Sequence, residues 1–237
     1  MASYAERPPQ AATRGLLTCV WARSVMPSAV EETRVVPDAC VDVMWERETG
    51  RMFVAGPDTG PHVTSLAAGE LVGVRFHRGH SPVGLGVPAD ALRDERVELD
   101  ALWAPSRVDR LADELAATAS TERAQDVLSA AVLDGARGRS DPAVPAVLQL
   151  ARSGARVGEM ADSVGLTERQ LHRRCLASFG YGPKVLQRVL RFDAAVRLAR
   201  AGTGLADVAY RAGYADQAHL AREVRAFAGV PLTVLLG

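Results

Sequence analysis

The chain has 237 residues, 48% of them hydrophobic and 24% charged, the makeup of a globular protein with room for two compact domains. That composition excludes a disordered, collagenous or disulfide-dense chain, and no run approaches the roughly 18 apolar residues of a membrane span. Lysine plus arginine and aspartate plus glutamate balance at 28 each, but unevenly: from residue 150 onward 13 basic residues face 7 acidic ones, a net of +6 that leaves −6 on the rest. A basic module beside an acidic one is therefore expected.

The first residues, MASYAERPPQAATRG, lack the apolar stretch of a signal peptide, and residues 1–14, rich in proline and alanine, read as a frayed lead-in. Residues 15–136 form the next unit. The runs LLTCVWARS, VDVMWE, RMFVAG and LVGVRFH have strand character, with Glu48-Thr49-Gly50 as a hairpin turn between the second and third. Prolines 27, 37, 57, 61, 82 and 88 punctuate this stretch, so a mostly β domain is expected. After Ser106 the spacing turns helical, and residues 107–136 read as a helical pair. GRSDP then breaks the chain, and Pro142 opens a helix that begins a second domain, residues 142–237.

Catalytic and metal chemistry find little support in the first domain. His77 and His80 are three apart, and with His62 and Cys40 they complete no closed ligand set, so no metal is assigned. The cysteines, Cys19, Cys40 and Cys175, are odd in number, lack metal spacing and suit a reducing cytoplasm. Nothing beside Cys19 or Cys40 marks a redox-sensing thiol. Gly84-Leu85-Gly86-Val87-Pro88-Ala89 matches the dinucleotide fingerprint in letters, but no βαβ unit surrounds it and a turn explains it better. Tyr4, Trp21, Trp45, Phe53, Phe76 and Trp103 could line a ligand pocket, yet aromatics in a β domain are ordinarily core. No nucleophile elbow, HExxH or P-loop occurs, so neither an enzyme nor a cofactor is expected.

The second domain contains one unit twice. Met160, Ala161 and Gly165 match Val208, Ala209 and Gly213 at a spacing of 48, whereas Thr167, Leu171, Arg173 and Gly180 match Asp216, Leu220, Arg222 and Gly229 at 49. One residue is therefore inserted in the second turn. The alanines sit where two helices cross, and the glycines end the first helix of each pair. Thr167 with Gln170 makes a capping box for the next helix, and Asp216 caps its counterpart. Short helix, glycine turn and longer helix make a helix-turn-helix, whose second helix enters the DNA major groove. Between the copies, Val185, Val189, Phe192, Val196 and Ala199 follow helical spacing from Pro183 to Ala201, a rod near 28 Å long at 1.5 Å per residue. It could hold two recognition helices about one DNA turn apart.

Arg169, Gln170, His172 and Arg173 lie opposite core-facing Leu171 on the first recognition helix, and Gln217, His219 and Arg222 hold comparable places on the second. Arginine can bond guanine, and glutamine adenine, through two hydrogen bonds. Lys184 and Arg188, with Arg191, Arg197 and Arg200, decorate the linker helix and suit phosphate, although arginine is also common on any exposed helix.

The run from Ala209 to Arg222 followed by Gly229-Val230-Pro231, with GLTERQLHRRCLASFGYGP in the first copy, resembles the DNA-binding domain of the AraC family over roughly residues 145–235. It departs at Leu220 and Val224, where that family usually has phenylalanine. The resemblance implies that Arg169, His172, Arg173, Gln217, Ala218 and Arg222 face bases or nearby phosphates. VVPDACVDVMW, GVRFHRG and GVPADAL resemble an N-terminal domain often fused to this one, cupin-like in kind. The expected fold is α+β: a mostly β domain with a helical pair, then an all-α domain of two helix-turn-helix units joined by a long helix. The expected function is a cytoplasmic, sequence-specific transcriptional regulator bound to double-stranded DNA, with residues 15–136 sensing a small-molecule effector or mediating dimerisation. RNA polymerase and a second copy of the chain are further partners the resemblance admits, and no membrane is expected. Two alternatives stay open: an enzyme-like or a purely structural N-terminal domain fused to a DNA-targeting module.

Overall fold

The computed structural model describes residues 3–26, 31–66 and 68–236. Pro27, one of the prolines read as punctuation, lies outside them. Alternation along the strands decides which face of the sheet each residue serves. In β4 (Asp42–Glu46), Val43 and Trp45 join one core and Met44 another. β1 (Ser3–Arg7), β2 (Leu17–Val25), β5 (Met52–Ala55), β7 (Gly69–Phe76) and β8 (Arg96–Glu98) complete an antiparallel sheet in the order β1-β2-β7-β4-β5-β8. Leu17 and Val20 break the alternation, since both lie in the larger core although three apart. The cause is a register shift between Leu17 and Cys19, which takes up Thr18 as an extra residue.

The larger core is roofed by α1 (Ser81–Leu85), α2 (Pro105–Ala116) and α3 (Thr121–Gly135), whose Leu111, Leu115, Leu128 and Val132 share one apolar cluster with Val72, Val74 and Phe76, α3 packing on β7. Each such side chain contributes about 1.5–3 kcal/mol by leaving water. Cys19, Trp21, Met44, Phe53 and Leu71 form a smaller cluster on the other face. Gly73 makes room there for the Trp21 indole, which a Cβ would overlap. Of the aromatics considered for a ligand pocket, Trp45, Phe76 and Trp103 thus pack in the larger core, Trp21 and Phe53 in the smaller, and Tyr4 lies beside Trp21 with ring centroids 5.9 Å apart.

Two expectations are corrected. Residues 1–14 are not a frayed lead-in from Ser3 onward: β1 is an edge strand along β2, and Arg7 pairs with Asp126 on α3 at 2.6 Å. Residues 1–2 lie outside the described residues. The helix expected to open at Pro142 begins instead at Val144, because the Asp141 carboxylate accepts the backbone N–H of Ala143 and forms a turn first. β3 (Glu31–Val35) and β6 (His62–Leu66) were not legible as strands and pair as a separate antiparallel ribbon. The β part is therefore one open sheet plus this ribbon.

The C-terminal part is helical: α4 (Val144–Ser153), α5 (Val157–Ser163), α6 (Glu168–Phe179), α7 (Pro183–Arg200), α8 (Leu205–Arg211), α9 (Gln217–Ala228) and α10 (Leu232–Leu236). α7 is its axis. Eighteen residues give it a length of about 27 Å. Leu186, Val189, Leu190, Phe192, Ala195, Val196 and Ala199 are buried around it, and α4, α6, α8, α9 and α10 all pack against it. One continuous core therefore serves both halves of the domain.

Candidate nucleic-acid interface

The two repeat units share two backbone hydrogen bonds in their turns. Leu166 N–H donates to Ala161 O at 2.9 Å, and Tyr214 N–H donates to Ala209 O at 2.8 Å. Gly165 N–H bonds Asp162 O, and Gly213 N–H bonds Tyr210 O, each at 3.1 Å. Gly165 (φ +65°) and Gly213 (φ +78°) hold the left-handed conformation that glycine adopts without penalty. Ala161 and Ala209 are buried, 2% and 3% exposed, which leaves no space for a larger side chain at either crossing.

The units diverge one residue later, at Ala215, where the extra residue sits. Its N–H lies 3.4 Å from His219 Nδ1, so the histidine covers the added backbone donor, and its ring also meets Tyr214 edge-on at 5.2 Å. The caps then coincide again. Thr167 Oγ1 accepts from Gln170 N at 3.2 Å while Gln170 Oε1 accepts from Thr167 N at 2.9 Å. Asp216 Oδ1 accepts from His219 N at 2.6 Å. These bonds satisfy amide donors that a helix start otherwise leaves open.

Beyond the caps, α6 and α9 turn leucine inward and cations outward. Leu171 and Cys175 on α6, and Leu220 and Val224 on α9, are buried. Leu220 and Val224 fill the core where phenylalanine was the family expectation, and Phe227 packs on Phe192 with ring centroids 5.3 Å apart. Arg169, Gln170, His172 and Arg173 on α6, and Gln217, Ala218 and Arg222 on α9, are exposed. Neither Arg173 nor Arg222 is tucked into the fold. Three of the expected residues have other engagements. Gln170 gives its carbonyl oxygen to the cap, the His172 ring lies against Gly182, where a Cβ would meet its Cε1 at 2.5 Å, and His219 is half-buried as described.

On α7, Lys184 is exposed, but Arg188 is bound in the fold: it pairs with Glu223 through Nε (3.0 Å) and Nη2 (2.8 Å) and lies over Phe227. The Glu223 hydrogen bond raises the guanidinium pKa above its usual value. Arg191 lies over the Tyr214 ring, and Arg197 pairs with Asp193 at 3.4 Å. Arg188 and Arg191 thus brace the second unit against α7, and the Arg197 pair stays within α7 itself. Arg174, which the pattern did not single out, pairs with Asp141 at 3.0 Å.

The N-terminal residues considered for chemistry have structural partners. His77 meets Thr18 Oγ1 and Arg14 O, each at 2.9 Å, and His80 Nδ1 lies 3.2 Å from Arg78 O. Gly86, in the dinucleotide-like run, is the left-handed cap of α1 at φ +79°. Burial pushes the thiols of Cys19 and Cys175 up to about 12 and lifts that of Cys40 above its usual range.

Residues 160–236 match a family model described as a helix-turn-helix domain. The C-terminal domain is an AraC-type helix-turn-helix domain. Ahead of this AraC-type domain, residues 5–98 match a domain of unknown function (DUF6597). No curated protein matches the chain. Among solved structures, an apo form of ToxT from Vibrio cholerae is similar at 12% identity and a TM-score of 0.51, covering 97% of this chain and 98% of that one. ToxT from the same organism, described as bound to an unsaturated fatty acid, aligns at 11% identity and a TM-score of 0.47, over 100% of this chain and 94% of that one. The first likeness extends to the whole two-part architecture, a mostly β region followed by the AraC-type domain. Among the described residues no helix is long and apolar enough to cross a membrane.

Proposed function

We propose that this chain is a sequence-specific transcriptional regulator that reads two adjacent major grooves, one with α6 and one with α9. The observation that carries the reading is the duplicated turn, cap and exposed arginine, Arg173 in one unit and Arg222 in the other, built on a single α7 axis. Arg169, Arg173, Gln217, Ala218 and Arg222 are the residues assigned to bases or the phosphates beside them. Lys184 is assigned to phosphate. Gln170, His172 and His219 act mainly by holding the helix starts and the loops beside them, which sets the pitch of each helix in its groove.

The N-terminal domain modulates this activity in response to a small-molecule effector or a second copy of the chain. What supports this is its grip on three parts of the DNA-binding domain. Arg93 donates to Gly180 O at the end of α6, Arg78 pairs with Asp193 on α7, and Arg34 donates to Ala228 O at the end of α9. A state that shifts this domain would shift both recognition helices, the differential contact that coupling requires. Action in the cytoplasm and contact with RNA polymerase belong to the same reading.

Genome-wide footprinting of the full-length protein would recover the bound sites. On such a site, Arg173→Ala and Arg222→Ala should each cost about 1–3 kcal/mol and relax preference at separate positions one helical turn apart. Unchanged affinity in the double variant would overturn the groove assignment.

A further inference from the structure

A second basic patch lies outside the helix-turn-helix units, on the connector between α3 and α4. Arg137 and Arg139 flank Gly138, which turns the chain at φ +72°. The N–H of Arg137 donates to Val83 O at 2.9 Å, which pins the connector to α1. Both side chains line a cleft of about 480 Å³ whose other wall is α6, with Arg173 and Arg174. All four arginines are exposed.

Their charge is poorly balanced. Asp141 is the acidic residue lining the cleft, and Arg174 already holds it at 3.0 Å. Arg137 Nη1 donates to the carbonyls of Asp134 and Ala136 at 2.9 and 3.2 Å, bonds that orient the guanidinium without neutralising it. Four guanidiniums and one carboxylate leave a local charge of +3. Pro82, Val83 and Val87 form an apolar wall, which lowers the local dielectric and strengthens attraction for an anion.

We propose that Arg137 and Arg139 grip the DNA backbone beside the groove entered by α6, making the inter-domain connector part of the DNA interface. Arg173 is common to both surfaces, since it lines the cleft and stands on the outer face of α6. Guanidinium forks suit phosphate oxygens, with two parallel hydrogen bonds. Exposed donors on two facing walls match a row of phosphates better than one small anion, which would leave most of them unpaired. The inference rests on the groove reading above.

Full-length protein would be titrated from 50 to 200 mM salt with a footprinted site and with an unrelated duplex. Two neutralised phosphates contribute about 1.8 to the slope of log K against log salt, so R137A/R139A should bind both duplexes about 30-fold more weakly at 0.15 M salt, with a correspondingly shallower slope. R137K/R139K should recover most of that slope. Wild-type affinity and slope in R137A/R139A, alongside loss in R173A/R222A, would overturn the connector proposal and leave the groove reading standing. No loss in either pair would remove both. A loss confined to the footprinted site, with an unchanged slope, would also overturn the proposal, because it would assign the connector to domain geometry or an effector.

Discussion

Arg78 Nη2 donates to Asp193 Oδ2 at 2.8 Å, joining the loop after β7 to the middle of α7 across the domain boundary. The two side chains are 17% and 15% exposed, and Arg78 Nε also donates to Asp38 O at 2.7 Å. Removing Arg78 leaves Asp193 with the more exposed Arg197 as its ion-pair partner among the described residues. Breaking a well-buried pair costs 3–5 kcal/mol, and the residual solvent access here brings the expected loss for Arg78→Ala to about 2 kcal/mol. Urea denaturation of the full chain would measure it. A loss below about 0.5 kcal/mol would show that the pair does not hold the domains together.

The helix caps make a cleaner test of local design. Thr167→Ala and Asp216→Ala should each destabilise the C-terminal domain by about 1 kcal/mol, and Asp216→Asn should restore most of that loss. Gln170→Ala should lower stability as well as DNA affinity, because its side chain closes the Thr167 capping box. Thermal melts with and without DNA separate the two effects.

Gly79 and Gly180 stand where the domains touch, both at φ +81°. A Cβ on Gly79 would meet Phe179 Cε1 at 2.7 Å and Val144 Cγ1 at 2.8 Å, and one on Gly180 would overlap Pro57. Left-handed strain and crowding together should cost about 2–4 kcal/mol for alanine at either position. Gly138 also has positive φ, but a Cβ there meets nothing within 4 Å, so Gly138→Ala should cost only about 1–2 kcal/mol. Equal losses at all three positions would remove domain contact as the cause.

The thiols of Cys19 and Cys175 rise to about 12, mainly because burial disfavours the thiolate. At pH 8 they should react with iodoacetamide about a thousandfold more slowly in the folded protein than after denaturation. A group whose pKa rises on folding contributes stability that is intact below its unfolded value and lost as pH climbs through the folded one. Stability should therefore fall as pH rises from about 9 toward 12. Rapid labelling of Cys175 in the native protein at pH 8 would contradict its burial.

The duplicated unit was legible because its signals are local. Gly165 and Gly213, Ala161 and Ala209, Thr167 and Asp216 each answer a constraint set within a few residues. The first domain was only half legible. β2, β4, β5 and β7 carry β-branched and aromatic residues that mark strands, whereas β1 reads SYAER, β3 EETRV and β8 RVE, too polar or too short to show a buried face. β6 carries few apolar residues as well. Contacts such as Arg78–Asp193 and Arg34–Ala228 join positions more than a hundred residues apart, and no spacing rule announces them. The candidate site divided in the same way. Charge pattern placed arginine on the outer faces, but the engagement of Arg188 with Glu223, and of His219 with the inserted Ala215, required the fold.

Because Phe192 and its neighbours on α7 are sealed from both ends by the same apolar mass, neither helix-turn-helix unit possesses an interior of its own. Cutting the chain after α7 would strip one half of its floor and leave the other with an oily flank. The pair must therefore be grafted, truncated or exchanged whole, and a change that loosens one unit should be felt by the other through that shared core alone.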